Sequence, residues 1–151
     1  MAPCIHFFFR NIVNYRDKEV ITLGEEITLM QTYFYLQQKR YGDNLKLNIN
    51  VSEEAKKHTF IPPLTLQLLL ENAIKHNAVS KETPLFVELF MENGKWLVLR
   101  NNINPKLRKE TGSGMGLQNI INRYNLLSKE PVLINNDGIH YTVLLPTLKQ
   151  E

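Results

Sequence analysis

Apolar residues recur at helical spacing from Leu23 to Tyr41, alternate strictly over 45–51, and return to helical spacing from Leu64 to Ile74. The first stretch opens on Thr22-Leu23-Gly24-Glu25, a hydroxyl at the cap with a carboxylate three residues on. That is a capping box, and it predicts a helix to about Tyr41 with Ile27, Met30 and Phe34 on one side. Gln31, Gln38 and Lys39 are left to water, and Gly42-Asp43 closes the helix. The alternation of Leu45-Lys46-Leu47-Asn48-Ile49-Asn50-Val51 predicts a strand with one wet face. Pro62 and Pro63 suit the opening of a second helix over Leu64 to His76, where a missing amide hydrogen costs least. Two β-rich runs, Leu85 to Glu92 and Lys95 to Asn101, flank Asn93-Gly94 and predict a hairpin. After a polar loop over 103–114 come a third helix, about Met115 to Leu127, and a second hairpin turning at Asp137-Gly138 between Val132–Asn135 and Ile139–Leu145. A short aromatic element, about Phe7 to Tyr15, precedes all of these.

Neighbouring hairpins favour a mixed, mostly antiparallel sheet over alternating parallel units. The expected class is therefore α+β: a two-layer α/β sandwich with the helices on one face and water on the other. At 151 residues the chain fits one domain with a substantial core, and its 43% hydrophobic and 22% charged residues match a soluble globular protein. No apolar run approaches the roughly 20 residues of a membrane span. The opening residues lack the pattern of a secretory signal. A lone cysteine, Cys4, fits a reducing compartment. The formal charge of +3 is modest, and the basic clusters at Lys56-Lys57-His58 and Lys106-Leu107-Arg108-Lys109 are short and lack interleaved aromatics. Direct nucleic-acid binding is not expected from them; they read as a solvated surface or a phosphate-attracting rim.

Chemistry concentrates in two segments. On a helical wheel with Glu71 at zero, Lys75 falls at about 40°, Asn72 at about 100° and His76 at about 140°. The second helix is thus apolar all round at its start and polar over its last turn and a half, as suits a buried helix whose end opens into a cleft. The second segment is Gly112-Ser113-Gly114-Met115-Gly116-Leu117, a flexible strip leading into a helix N-terminus, where anions are favoured. It lacks the Lys-Ser/Thr pair of a P-loop. Its place after the polar loop suggests a mobile lid over a nucleotide. Together the two segments supply what a magnesium-bound triphosphate needs. Asn72 offers an amide oxygen to the metal, Glu71 can orient an attacking group by accepting its proton, and Lys75 stabilises phosphate as a point charge. His76 either touches phosphate or caps the helix. Asn119 and Arg123, four apart, could face phosphate, or Arg123 could anchor a salt bridge.

With these residues in place the chain resembles the catalytic ATP-binding domain of sensor histidine kinases in the GHKL (Bergerat) ATPase superfamily. Within it the resemblance is to the LytS-type branch, in the form common in Bacteroides-like bacteria. The segments that carry it run from about Phe8 onward: Val20 to Glu26, Tyr33 to Tyr41, Ile61-Pro62-Pro63-Leu64 with Gln67 before Glu71-Asn72-Ala73, Gly114-Met115-Gly116-Leu117 with Asn119, Arg123-Tyr124, and Val143-Leu144-Leu145-Pro146. The resemblance implies a Bergerat sandwich binding Mg-ATP between the Glu71 helix and the lid, with Gly112, Gly114, Met115, Gly116 and Leu117 at the nucleotide. Asn72 would ligate Mg²⁺. Glu71 would assist transfer of the γ-phosphate to a histidine on a separate dimerising helix, from which a response regulator, often one with a LytTR domain, receives it. It also implies that residues 1–20 are a remnant of the dimerisation and phosphoacceptor region, with the catalytic domain at 21–151. The parent would be a membrane-anchored homodimer of the inner membrane with this domain in the cytoplasm.

Two departures matter. Where the family carries Asp-x-Gly-x-Gly, whose aspartate reads the adenine amino group, this chain has Asn101-Asn102-Ile103-Asn104-Pro105. Asn101 keeps an acceptor oxygen but loses the charge and both glycines. His6-Phe7-Phe8-Phe9 echoes the His-Phe-x-Phe-Asn acceptor motif, yet Arg10 replaces its asparagine, and Phe8-Phe9-Arg10 aligns better with the end of the dimerisation region. The acceptor histidine is therefore expected outside this chain. The rival expectation is a non-catalytic, nucleotide-responsive interaction module on the same fold. A third is an ATPase or serine kinase on that fold.

Overall fold

The computed structural model describes residues 18–107 and 115–149. The aromatic element expected at Phe7 to Tyr15, His6, and Gly112 and Gly114 of the glycine strip lie outside these residues.

The elements run β1 (Ile21–Thr22), α1 (Leu23–Tyr41), β2 (Leu45–Asn50), α2 (Glu53–His58), β3 (Phe60–Ile61), α3 (Thr65–His76), β4 (Leu85–Glu92), β5 (Trp96–Asn102), α4 (Met115–Leu127), β6 (Leu133–Asn136) and β7 (His140–Pro146). Strands 2, 4, 5, 7 and 6 form one sheet in that order. The β2–β4 pair is parallel and the other three are antiparallel, so the expected mixed, mostly antiparallel sheet is present.

Local signals account for most of this. The Thr22 hydroxyl accepts from the Glu25 amide at 3.2 Å while the Glu25 carboxylate accepts from the Thr22 amide, completing the capping box of α1. Asn93 and Gly94 both take positive φ, 54° and 64°, in the tight β4–β5 turn, which the Lys95 amide closes on the Glu92 carbonyl at 3.1 Å. Register then assigns faces. Leu85, Val87 and Leu89 of β4, Leu97 and Leu99 of β5, and Val143 and Leu145 of β7 all point inward and are buried. Against them pack Ile27 and Met30 of α1, Leu66, Leu70 and Ile74 of α3, and Ile120 and Tyr124 of α4.

The structure departs from the sequence reading in three ways. The Lys56-Lys57-His58 cluster is the last turn of a short helix, α2, that apolar periodicity does not announce; Ser52 caps it, and Lys56 pairs with Glu53 at 3.0 Å. The far side of the sheet is not uniformly wet. There the Arg100 guanidinium lies 5.3 Å from the centre of the Phe90 ring and donates to the Thr142 hydroxyl, and Val98 and Thr142 on the same face are buried. Finally, α3 begins at Thr65 rather than Leu64, which takes the left-handed conformation with φ 68°.

That irregular helix start explains a buried carboxylate. α3 has no capping side chain of its own. Instead Glu26 of α1, fully buried, accepts from the Leu64 amide at 3.0 Å through one oxygen and from the Leu66 amide at 3.1 Å through the other. Arg123 of α4 donates to the Pro63 carbonyl at 3.0 Å, and its charge also favours the ionised Glu26. Burial nevertheless dominates and pushes the Glu26 carboxyl up to about 7, against the amides of Leu64, Leu66 and Gln67. The neighbouring Tyr124 phenol is raised by burial and then by the Glu26 charge.

Because the folded state holds this proton more tightly than the unfolded chain, the Glu26 contribution is greatest at low pH. It declines as pH rises from about 4.5 to about 7 and is flat above. Relative to Glu26→Gln, wild type should therefore lose about 3 kcal/mol of stability across that window. Glu26→Ala should cost about 2 kcal/mol at acid pH by stranding two buried amides. Urea titrations of the three proteins from pH 4 to 8 test this, and a pH-independent difference between wild type and the Gln variant would contradict it.

Candidate functional site

The last turns of α3 and the inner ends of β5 and β7 bound a cavity of about 530 Å³, closed on one side by the first turn of α4. Glu71, Asn72, Lys75 and His76 line it from α3, Asn101 from β5, and Gly116 and Leu117 from α4. Seven of the residues singled out in the sequence thus meet in one place. The wheel explains the α3 group: the sector that is polar in the last turn and a half faces the opening, with Asn72 half-buried and Glu71, Lys75 and His76 exposed.

Other candidates fall elsewhere. Met115 starts α4, and Asn119 is exposed on it and does not line the cavity. Arg123 is also absent from the lining. It donates to the Pro63 carbonyl at 3.0 Å, a contact with the backbone before α3 that is neither of the two roles expected for it.

The rest of the lining is mostly apolar, Leu68 and Leu69 from α3 itself, Leu99 from β5, Ile103 after it and Val143 from β7, with the half-buried Tyr141 beside Asn136. Burial raises the Tyr141 phenol, which therefore stays protonated as a hydrogen-bond donor. Asn101 is buried to 5% exposure and donates one amide hydrogen to the Asn102 carbonyl at 2.8 Å, which leaves its oxygen as the acceptor available to a ligand.

Sequence reasoning missed the group that fixes the width of this cavity. Asn77, directly after α3, is buried. Its amide donates to the Ala73 carbonyl at 2.8 Å, and its oxygen accepts from the Asn104 amide at 2.7 Å. The Asn104 side chain in turn donates to the carbonyls of Ala78, Thr83 and Pro84, and Asn102 donates to Pro84 and accepts from the Phe86 amide. The end of α3 is thereby stitched to the loop after β5. The available signal was Asn77 directly after the helical run, paired with an asparagine-rich strand end. A one-dimensional reading could not show that the two segments meet.

Among the described residues no cluster of three or more His, Cys, Asp or Glu could hold a metal ion by itself. A divalent cation that keeps waters and phosphate oxygens needs fewer protein ligands, and one amide oxygen at a cavity rim, as Asn72 provides, fits that requirement. Glycine at 116 is not forced by packing against the described residues, because a Cβ there would meet none of them within 4 Å. A side chain would instead stand in space open to a ligand. No described helix is long and apolar enough to cross a membrane.

Comparison with known proteins bears on the fold and the ancestry of the chain. The catalytic domain of histidine kinase ThkA superposes with a TM-score of 0.58 at 15% identity, covering 84% of this chain and 95% of that one. Histidine kinase AdeS of Acinetobacter baumannii gives 0.58 at 12% identity over 95% of this chain and 76% of that one. The fold is that of histidine kinase catalytic domains. In sequence, the histidine kinase family model matches residues 4–45. The sensor histidine kinase/phosphatase LytS of Staphylococcus aureus (strain MRSA252) is 28% identical over 97% of the chain. The chain is thus homologous to LytS-type sensor histidine kinases and spans 28% of the length of that relative.

Removing the Asn77 side chain should strand the Asn104 amide and free the α3 end. Asn77→Ala is expected to cost about 1–3 kcal/mol. It should also raise hydrogen exchange at Ala78 and Asn104 more than at β2. Uniform exchange changes across the domain would show that the network does not hold the cavity locally.

Proposed function

We propose that this chain is the ATP-binding catalytic domain of a two-component sensor histidine kinase, passing the γ-phosphate of ATP to a histidine outside residues 1–151. The observation that carries this reading is the single cavity that brings Glu71, Asn72, Lys75 and His76 together with Asn101 and the Gly116-Leu117 turn. Its volume of about 530 Å³ lies within the range of small-molecule sites. The apolar lining suits a purine, with the Asn101 oxygen as acceptor for an exocyclic amino group. The α3 rim suits the phosphates.

In this reading Asn72 holds Mg²⁺ through its amide oxygen, and the ion, when bound, neutralises phosphate charge. Lys75 adds a point charge at the phosphates, and His76 lies close enough to the same rim to contact them. Gly112, Gly114, Met115, Gly116, Leu117 and Asn119 would complete the nucleotide-binding set, as the resemblance implies. Glu71 takes the proton from the N–H of the imidazole whose other, unprotonated nitrogen attacks, as the bond from the γ-phosphorus to the bridging oxygen of ADP breaks and the N–P bond forms. Such transfer is chiefly positioning and electrostatics. Residues 1–20 would then be the remnant of a dimerisation and phosphoacceptor region. The parent would be a membrane-anchored homodimer with this domain on the cytoplasmic side, serving a response regulator, in this branch one of the LytTR type.

A second reading is favoured by one observation, the amide at position 101 where the resembled family has an aspartate: a non-catalytic module that responds to nucleotide. Magnesium-dependent ATP binding without transfer to an intact acceptor helix would favour it.

Asn72→Ala should weaken magnesium-dependent ATP binding by about tenfold or more, on the order of 1.4 kcal/mol. Glu71→Gln should leave binding within about twofold yet slow transfer by about 10²–10⁴. Calorimetry with and without Mg²⁺, paired with transfer of labelled phosphate to a histidine-bearing helix, separates the two effects. Equal, small changes in both quantities for both variants would sink this division of roles.

A further inference from the structure

Three strands bring one row of polar side chains to the cavity. In the sheet register Asn101 of β5 faces Tyr141 of β7, and Tyr141 faces Asn136 of β6. All three line the cavity. Two residues along, on the same side of the sheet, the next row is apolar: Leu99 faces Val143, both buried and both in the same lining. A flat ring laid over Leu99 and Val143 can present one edge to the polar row.

The hydrogen-bonding sense of that row is set by the protein. The Asn101 amide nitrogen donates to the Asn102 carbonyl at 2.8 Å, which leaves the Asn101 oxygen as an acceptor. A flipped amide would set that oxygen against the carbonyl and lose the bond. The Asn136 oxygen is already taken by the Gly138 amide at 2.9 Å. Between them Tyr141 is half-buried, and burial raises its phenol, so the hydroxyl keeps its proton. That hydroxyl makes no hydrogen bond within the described residues and is not among their sealed, unpartnered groups, so it is open to a ligand. An acceptor from β5 beside a donor from β7 complements the edge of adenine on which the exocyclic amino group, a donor, adjoins N1, an acceptor. Guanine and hypoxanthine carry the reverse order, a carbonyl beside an N–H, and would set one oxygen against another at Asn101.

We propose that Tyr141 is a specificity-determining residue of the nucleotide site: its phenol donates to N1 of adenine while the Asn101 oxygen accepts from the exocyclic amino group. The inference rests on the reading of this cavity as an ATP site and adds to it a β7 side chain that chooses the base. A neutral amide is a weaker acceptor than a carboxylate, so Asn101 alone discriminates modestly, and the phenol supplies the second contact.

Calorimetry of the chain with Mg²⁺ and either ATP or 1-deaza-ATP, in which a C–H replaces N1, tests this as a cycle with Tyr141→Phe. Wild type should bind ATP about threefold to tenfold more tightly than 1-deaza-ATP, the worth of one hydrogen bond. Tyr141→Phe, which removes only the hydroxyl, should weaken ATP by the same factor and leave 1-deaza-ATP unchanged. The wild-type comparison needs no variant and stands even where Tyr141→Phe loosens the fold. Equal losses on both nucleotides in the variant, no loss on ATP, or wild-type affinity that ignores N1 overturns the role of Tyr141 alone. Absence of magnesium-dependent ATP binding by the unaltered chain overturns the reading of the cavity, and with it this role.

Discussion

Two amides at the start of α3 aim at the buried carboxylate of Glu26, and the geometry of the cavity follows from that contact. A helix without its own cap would fray at its first turn or seek water. Here the cap comes from a neighbouring helix 38 residues earlier in the chain, which ties the axial position of α3 to that of α1. Once the start of α3 is fixed, its end is fixed too, because twelve residues of regular helix carry no slack. Glu71 and Asn72 stand where they do because Glu26 holds the other end of the same rod. The left-handed Leu64 and the raised Glu26 carboxyl are the local costs of this arrangement.

The far end of α3 is held by a different chemistry. The Asn104 amide donates to the Asn77 side-chain oxygen and the Ala78 amide donates to the Asn104 carbonyl, so the distance from the end of α3 to the loop after β5 is set without charge. This leaves the ionisable residues Glu71, Lys75 and His76 uncommitted to the network and facing the opening. A site that must accept a highly charged ligand gains from this separation. Scaffold contacts made of amides do not compete with the ligand for cations, nor change with its charge.

Where the sequence signals were local, they were readable. The capping box at Thr22, the Asn93-Gly94 turn, the alternation of β2 and the limits of α4 depend on neighbours within four residues, and the structure reproduces each. The α3 polar sector was legible for the same reason, and it lines the cavity as its periodicity required. Contacts between distant segments were not legible. Nothing in the run around Glu26 marks it as the cap of a helix 38 residues on, since on α1 a glutamate normally reads as a solvated first-turn acid. Arg123 was ambiguous because four-residue spacing gives a face but not what the face meets. α2 went unseen because its six residues bury none of their side chains, so no apolar stripe betrays it.

The polarity of the helix ends at the cavity adds a last argument for a metal–polyphosphate ligand. α3 arrives with its C-terminus, where unsatisfied carbonyls make a partial negative charge, and α4 departs with its N-terminus, where free amides make a positive one. A bare polyphosphate would be repelled by the first end and drawn to the second. A bare cation would show the opposite preference. A polyphosphate carrying a divalent ion satisfies both if the ion sits toward Asn72 in the final turns of α3 and the phosphate oxygens sit toward Gly116. Lys75 and His76 reinforce this by offsetting the carbonyl end. One orientation of such a ligand is therefore preferred before any specific contact is made. On the function proposed above, it would turn the terminal phosphate toward Glu71 and the base toward the apolar lining and Asn101.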